Sequence, residues 1–337
     1  MKILHGPYDI SGQGLYTVRG LRENGEAARL AVVSGNKCPS YADFCLDNKN
    51  TEELSRFVGH IAKEIDVFHS HGGDTFINDM SDLKLMKANG VRIFSEFHGV
   101  ELRYVFNAEA LPFAPADPMS KEDRAGRRER LTRLIGNSDG IILHSEGQYR
   151  YLPQELSVPV YTVPLRVDIK SLVPESDPGN PKVRIVHAPT DRRFKGTERI
   201  LEELKHVKGD FELILVEGKT REEALQIYRS ADIIIDQISG GSYGVFSIEA
   251  MALGKPVIAY ISEFTRKHHP DLPIVSSDFE NLSFVVSELI SDRERRNRLG
   301  VYGRDYVERY HDHVKVTALL KKIYRGMNIN HNLFKEL

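Results

Sequence analysis

The sequence predicts an α/β protein of two successive halves, each a parallel sheet with helices on both faces. Three observations carry this. Short apolar runs alternate with amphipathic helical stretches along almost the whole chain, the pattern of crossover-connected parallel strands. The alternation starts afresh at residue 183 with a new strand, 183–187, after an earlier series that opens at residue 2. Between the two series lies Pro174-Glu-Ser-Asp-Pro-Gly-Asn-Pro181, whose density of breakers marks a linker. Two such halves would face each other across a cleft, the usual place for a small ligand.

Taken in order, residues 2–5 read as a strand, 6–14 as a loop of Gly, Ser and Pro, and 15–24 as a helix stopped near Gly25. Residues 30–33 are the next strand. This strand, glycine loop and helix have a Rossmann-like form. Gly12 and Gly14 lack the third glycine of the dinucleotide fingerprint, however, and no acid follows at the expected place, which argues against NAD. A helix over 51–64, a strand over 66–70 and a helix over 81–89 closed by Gly90 follow. His69 and His71 end the strand. Such a pair can ligate zinc, but no third ligand is near in sequence, and packed histidines are the preferred reading. The strand 91–97 ends at His98-Gly99, where ligands of open sheets collect. Residues 111–120 are a proline-rich loop. Residues 121–137 form one basic helix, with Lys121, Arg124, Arg127, Arg128, Arg130 and Arg133 against Glu122, Asp123 and Glu129. Two readings stay open for it, a solvated face and a peripheral contact with anionic lipid or a phosphorylated acceptor. Strands over 140–144 and 160–163 end the half.

The second half runs as a strand at 183–187, a loop at 190–194, a helix opened by Lys195-Gly196-Thr197, a strand at 211–216, a helix at 220–230 and a strand at 232–236. A turn with Gly240, Gly241 and Gly244 then feeds a helix over 246–253 and a strand over 256–260. A glycine loop entering a helix N-terminus presents backbone N–H groups and a dipole that favour a phosphate. Lys195 beside Gly196 supplies a flexible cation for a leaving diphosphate. Glu249, one turn into the helix, is placed to accept from ribose hydroxyls. Helices over 282–290, 292–310 and 312–325 close the chain, and His311 and His313 carry no metal in this reading.

Composition narrows the function. The chain has 337 residues, 41% hydrophobic and 28% charged, with formal net charge −2, so nothing global points to nucleic acid. Cys38 and Cys45, close together in one expected loop, make no disulfide framework, which suggests a cytoplasmic protein. No apolar run approaches a membrane span, and Met-Lys-Ile-Leu-His reads as a first strand rather than a signal peptide.

The stretch Gly241-Ser-Tyr-Gly-Val-Phe-Ser-Ile-Glu-Ala-Met-Ala-Leu-Gly-Lys-Pro-Val257 resembles the donor-binding segment of retaining GT-B glycosyltransferases of family four. That pattern is Glu, seven residues, Glu, then Ala-Met-Ala-x-Gly-x-Pro-Val. Glu249 to Ala252, Gly254, Pro256 and Val257 match it, while Gly241 stands where the first glutamate would be. The resemblance implies a GT-B fold whose C-terminal helices cross back to the first domain. It assigns residues 1–168 to an acceptor-binding domain, 169–310 to a nucleotide-sugar-binding domain, and 311–337 to the returning helix. It implies transfer of a sugar from a nucleotide-sugar, a UDP-sugar first of all, with retention and no required metal. His98 would approach the donor sugar, and Lys195 with an arginine, Arg192 rather than Arg193, would face the diphosphate. Arg192 takes this role because Thr190 holds the family's arginine position. Gly12 and Gly14 would let a phosphate or the acceptor approach, while the amides from Ser242 and Tyr243 through Gly244, Val245 and Phe246 would hold the donor. Residues 164–168 are similar to the family's Pro-Asn-Gly-Val-Asp crossover, with Leu165 and Arg166 in place of the usual pair. Two other readings remain: a GT-B chain that binds a sugar nucleotide with little turnover, motivated by Gly241 and Thr190, and a sugar-nucleotide epimerase. The acceptor, whether a saccharide, lipid-linked unit, protein or small molecule, and the oligomeric state are left open.

Overall fold

A computed structural model describes residues 1–33, 39–103, 105–106, 119–174 and 179–337. Cys38, the proline-rich stretch 111–118 and the centre of the breaker stretch, 175–178, fall outside the described residues. The chain forms two compact units: Met1–Ala108, Pro118–Arg166 and His313–Leu337 in the first, and Val167–Asp312 in the second. Each carries a parallel sheet of Rossmann-like form.

The first unit contains β1 (Lys2–Gly6), α1 (Gln13–Glu23), β2 (Ala27–Val32), β3 (Phe44–Cys45), α2 (Thr51–Ile61), β4 (Val67–His71), α3 (Ser81–Ala88), β5 (Arg92–Glu96), α4 (Lys121–Asn137), β6 (Gly140–Leu143) and β7 (Val160–Thr162). The strands run in the order β3-β2-β1-β4-β5-β6-β7, all parallel. Alternate side chains feed opposite cores. Leu4, Phe68, Ile93 and Ile141 pack with Val58, Leu83, Met86 and Leu134. Ile3, Val67, Phe94 and Ile142 pack with Val18, Leu21, Val316 and Leu320. Strands buried on both faces read as continuous apolar runs, which is why they stand out in the sequence.

The second unit contains β8 (Val183–His187), α5 (Arg192–Lys195), α6 (Thr197–Leu204), β9 (Phe211–Leu215), α7 (Arg221–Arg229), β10 (Ile233–Ile235), α8 (Val245–Ala252), β11 (Val257–Ala259), α9 (Glu263–His268), β12 (Val275–Ser276), α10 (Leu282–Ser291) and α11 (Arg293–Tyr310). Its strand order is β12-β11-β10-β8-β9. Ile185, Ile233, Ile235 and Ile258 form a core with Ile200, Leu204, Val286 and Leu289. On α11, a Cβ at Gly300 would sit 2.1 Å from the Gly254 carbonyl oxygen, and one at Gly303 would sit 3.1 Å from Met251 Cγ. Both glycines are therefore what lets α11 lie against α8. Finally α12 (His313–Tyr324) belongs to the first unit and lies along α1. There a Cβ at Gly20 would meet the His313 carbonyl oxygen at 2.4 Å. Asn24 Nδ2 donates to the Val314 carbonyl at 2.8 Å.

Three elements depart from the sequence expectation. Cys45 lies in a two-residue strand rather than in a loop with Cys38. The helix opening at 195–197 is split: Lys195 ends the single turn α5, capped by Asp191, and Gly196 at φ 77° hinges into α6. The basic excess of α4 is largely used within the unit. Arg130 bonds Asp74 Oδ1 at 2.8 Å and the Asn78 carbonyl at 2.7 Å, Arg133 the Asp79 carbonyl at 2.7 Å, and Arg128 the Phe106 carbonyl at 3.2 Å. Among the described residues, no helix is long and apolar enough to cross a membrane.

Candidate functional site

In the second sheet the strand order reverses between β8 and β10, and ligands of such sheets gather at the carboxyl ends of strands there. Lys195 lies at that point. Its ammonium donates to Asp236 Oδ1 and to Gln237 Oε1, the latter at 3.3 Å, and the side chain is mostly buried. Ser247 Oγ donates to the other carboxylate oxygen, Asp236 Oδ2, at 2.5 Å. A fully buried carboxylate between a lysine and a hydroxyl thus holds the ammonium beside the glycine turn. His187 braces the floor. Its Nδ1 lies 2.8 Å from the Ile235 carbonyl, so it carries the proton, and Nε2 accepts from Thr197 Oγ1 at 2.9 Å. Burial, the larger influence, lowers the basicity of this imidazole.

The turn itself is pinned from both sides. Gln237 Nε2 donates to the Ser242 carbonyl at 2.7 Å, and the Gly241 carbonyl accepts from Ser262 N at 3.0 Å and from Thr265 Oγ1 at 2.8 Å. Gly241 has φ 67°, and a Cβ there would approach Ser262 Cβ at 3.3 Å. A side chain at this position is therefore strained, which is a physical reason for the missing first glutamate. Gly241→Glu should destabilise by about 1–2 kcal/mol, read as a lowered urea midpoint. A midpoint at or above that of the wild type would show that the turn tolerates the family residue.

Gly244 precedes α8 without a side-chain cap, and Val245 and Phe246 form its half-buried first turn. Tyr243 Oη reaches Tyr306 Oη at 3.1 Å and His311 Nε2 at 3.2 Å. Glu249 is buried and accepts from Arg221 Nη2 at 2.7 Å and Nε at 3.1 Å. Burial raises its carboxyl above the usual range, with Arg221 opposing. Lys195, Ser242, Tyr243, Gly244, Val245, Phe246 and Glu249 thus belong to one unit, on α5, α8 and the turn before it. Arg192 is committed elsewhere: it pairs with Glu198 at 2.7 Å and Glu217 at 2.9 Å on the exposed side of α5. Arg193 N donates to Asp191 Oδ1 at 2.9 Å as part of the α5 cap.

In the first unit, Gly12 caps α1 at φ 74°. Asp9 Oδ1 accepts from Gly14 N at 2.8 Å and from Leu15 N at 3.4 Å. A carboxylate of the chain itself therefore takes the Gly14 and Leu15 amides of this loop.

His98 is not alone. Its sheet reverses between β1 and β4, and around the carboxyl ends of β1, β4, β5 and β6 stand His5, His69, His71, Glu96, His98 and His144, every one of them buried or nearly so. Arg166, fully buried, donates to Glu96 Oε1 at 2.5 Å. Gln13 clamps the Arg166 backbone, accepting at Oε1 from its N–H at 2.9 Å and donating from Nε2 to its carbonyl at 3.0 Å. His69 Nε2 is 3.0 Å from Glu96 Oε2, and His69 Nδ1 bonds the Tyr324 hydroxyl. Burial pushes the Glu96 carboxyl up, but Arg166, His71 and His144 outweigh it and hold the group well below the usual range. Burial lowers His5 and His98 well below an ordinary imidazole and brings His69 and His144 to about 4. The centre is one carboxylate, one guanidinium and five imidazoles, of which His5, His69, His98 and His144 are disfavoured as cations by burial.

No protein-family model matches the chain. Among curated proteins, the D-inositol 3-phosphate glycosyltransferase of Nocardia farcinica is 25% identical over 130 residues, 37% of this chain and 29% of that protein. The match thus spans less than a third of that relative. Among solved structures, sucrose-phosphate synthase from Thermosynechococcus elongatus superposes with TM-score 0.69 at 15% identity, covering 97% of this chain and 99% of that one. Anabaena HepE in complex with UDP-glucose gives 0.65 at 12%, covering 97% and 100%. An α-glucosyltransferase bound to UDP and DNA gives 0.66 at 11%, covering 96% and 98%. The fold is GT-B-like.

Reading the sequence missed His5, Glu96, His144, Arg166, Asp236 and Arg221. Four of these carry a usable signal: His5, Glu96, His144 and Asp236 each fall at or just before the end of an apolar strand run, where a polar residue faces the carboxyl edge of the sheet. Arg166 was visible only as a departure from a motif, and Arg221 only as one more basic residue at a helix start.

Proposed function

We propose that the chain transfers a sugar from a nucleoside diphosphate sugar, a UDP-sugar in the first instance, to a hydroxyl acceptor. The observation that carries this is the pairing of Lys195 with the uncapped first turn of α8 around buried Asp236. The likeness to structures solved with UDP or UDP-glucose supports the choice of nucleotide. In this reading the amides of Val245 and Phe246 bind the diphosphate, and the Lys195 ammonium shifts from Asp236 to offset charge growing on the leaving group. Glu249 leaves Arg221 and accepts from both ribose hydroxyls. The donor phosphate takes the acceptor proton on the face from which the nucleotide departs, so configuration is retained. No side-chain base and no metal at the diphosphate are required. A second reading is favoured by Arg192, whose two acidic partners compete with a phosphate: a chain that binds a sugar nucleotide with little turnover.

The test is thermal unfolding of wild type, Lys195→Ala and Glu249→Gln against UDP, UDP-glucose, ADP and GDP. Ligand at 100 times its dissociation constant adds about 2.7 kcal/mol. Losing a hydrogen bond to a charged group removes about 1.5–3 kcal/mol of binding, tenfold or more in affinity. One base should stand out on the wild type and weaken in both variants. A shift unchanged in both would remove this site from the reading. Release of free sugar or transfer to a simple alcohol separates the enzyme from the binding protein.

A further inference from the structure

The tautomers of the histidine array follow from its hydrogen bonds. His144 Nδ1 lies 3.2 Å from the Val163 carbonyl, an acceptor only, so this nitrogen carries the proton. In the neutral ring Nε2 is then a bare acceptor, and the atom 3.2 Å from it, His98 Nδ1, must be the donor. That leaves His98 Nε2 as a lone pair. Among the described residues it makes no hydrogen bond, and Glu96 Oε1 stands 3.7 Å away. Two acceptors therefore face each other in a buried site with no proton between them. His71 Nδ1 is likewise without a hydrogen bond among the described residues and stands 3.5 Å from the same oxygen.

These separations are too long for good hydrogen bonds but suit ligands on a shared ion. Donors about 2.0–2.1 Å from a tetrahedral zinc lie roughly 3.4 Å apart. The far nitrogens of both rings are already held, His71 Nε2 by His5 Nδ1 at 3.0 Å and His98 Nδ1 by His144. Such outer partners fix the tautomer and orient a metal-binding imidazole. The carboxylate is held differently: Arg166 donates to Oε1 itself, while His69 Nε2 stands 3.0 Å from the other oxygen, Oε2. The side chains of His98 and His144 are 8% and 6% exposed, so this edge of the centre is the way in.

We infer that His71 Nδ1, His98 Nε2 and Glu96 Oε1 form a binding site for a first-row divalent ion of the zinc type. Two imidazoles and a carboxylate suit zinc or cobalt better than magnesium or calcium, which prefer all-oxygen shells. The positive Arg166 beside the carboxylate lowers affinity for any cation, so imidazole bonding must provide most of it. The site lies within the first unit and does not depend on the donor reading of the second. It does exclude one expectation: an ion here would use the His98 nitrogen otherwise available to a donor sugar.

The experiment titrates metal-free full-length protein with Zn(II) alone, and separately with Co(II) alone, followed by metal content after gel filtration and by the cobalt visible spectrum. The expected result is one zinc per chain and a cobalt spectrum of low coordination number. His98→Gln and His71→Gln should each lower affinity at least tenfold, and His144→Gln, which removes an outer partner, by about tenfold. His60→Gln, an exposed histidine on α2, should change nothing. Circular dichroism of the apo forms shows which variants fold. His98, at the edge, is the variant to rely on if His71→Gln does not. Zinc should also raise the melting temperature of the wild type and not that of His98→Gln. Absence of stoichiometric zinc on the wild type, or equal retention by His98→Gln, would overturn the site and leave a water or a shared proton in its place.

Discussion

Glu96→Gln should destabilise the protein by about 3–5 kcal/mol, because it leaves the fully buried Arg166 guanidinium without its counter-charge while hardly changing shape. For a domain of this size that is a fall of roughly 10 °C in melting temperature. The measurement is made in chelator, so that bound metal plays no part. Removing both charges separates the pair from its surroundings. Glu96→Gln with Arg166→Met should be less destabilised than Glu96→Gln alone, because the buried cation is then gone. If Glu96→Gln stays within about 1 kcal/mol of wild type, the carboxylate is not the ionised anchor of this centre.

Gly300→Ala should have a comparable effect on the second unit. The added Cβ would lie 2.1 Å from the Gly254 carbonyl oxygen, backbone against backbone, with no flexible side chain to give way. Helix α11 would have to retreat from the α8 end by about 1 Å, and overpacking of this kind costs about 1–3 kcal/mol. Because α8 carries the proposed donor amides, affinity for the nucleotide found by the thermal panel should fall as well. Gly126→Ala is the control. That glycine is on α4 with nothing among the described residues within 4 Å of its Cβ position, so the same change should stabilise by about 0.5–1 kcal/mol. Equal urea midpoints for Gly300→Ala and wild type would mean that the two helices do not lie as described.

The repeating strands and helices were legible because strands such as Ile233–Ile235 and Gly140–Leu143 are covered on both faces and have no polar alternation to blur them. The turn at Gly240 to Gly244 was legible for a different reason: a cluster of glycines between an apolar run and a helical stretch marks a break in regular structure. What escaped depends on distance along the chain. Phe44–Cys45 and Val275–Ser276 are too short to show a period. His5, His71, Glu96, His144 and Arg166 are brought together from five separate segments. Spacing at 69 and 71 showed two histidines and no third partner, while the fold supplies further partners from β1, β5 and the segment after β6. Arg192 is the opposite case. A basic residue beside a lysine suggested a phosphate, but Glu198 and Glu217 had no visible connection to it in sequence.

The return of α12 to the first unit has a consequence for synthesis. Among the described residues the second unit is the stretch Val167–Asp312, whereas the first is finished only by residues 313–337. A ribosome must therefore make the whole second unit before it supplies the helix that covers Val18 and Leu21 and bonds Tyr324 to His69. Until then the nascent first unit shows an uncovered apolar sheet face, the kind of surface on which chaperones act and aggregates start. The half translated first is thus the half that matures last.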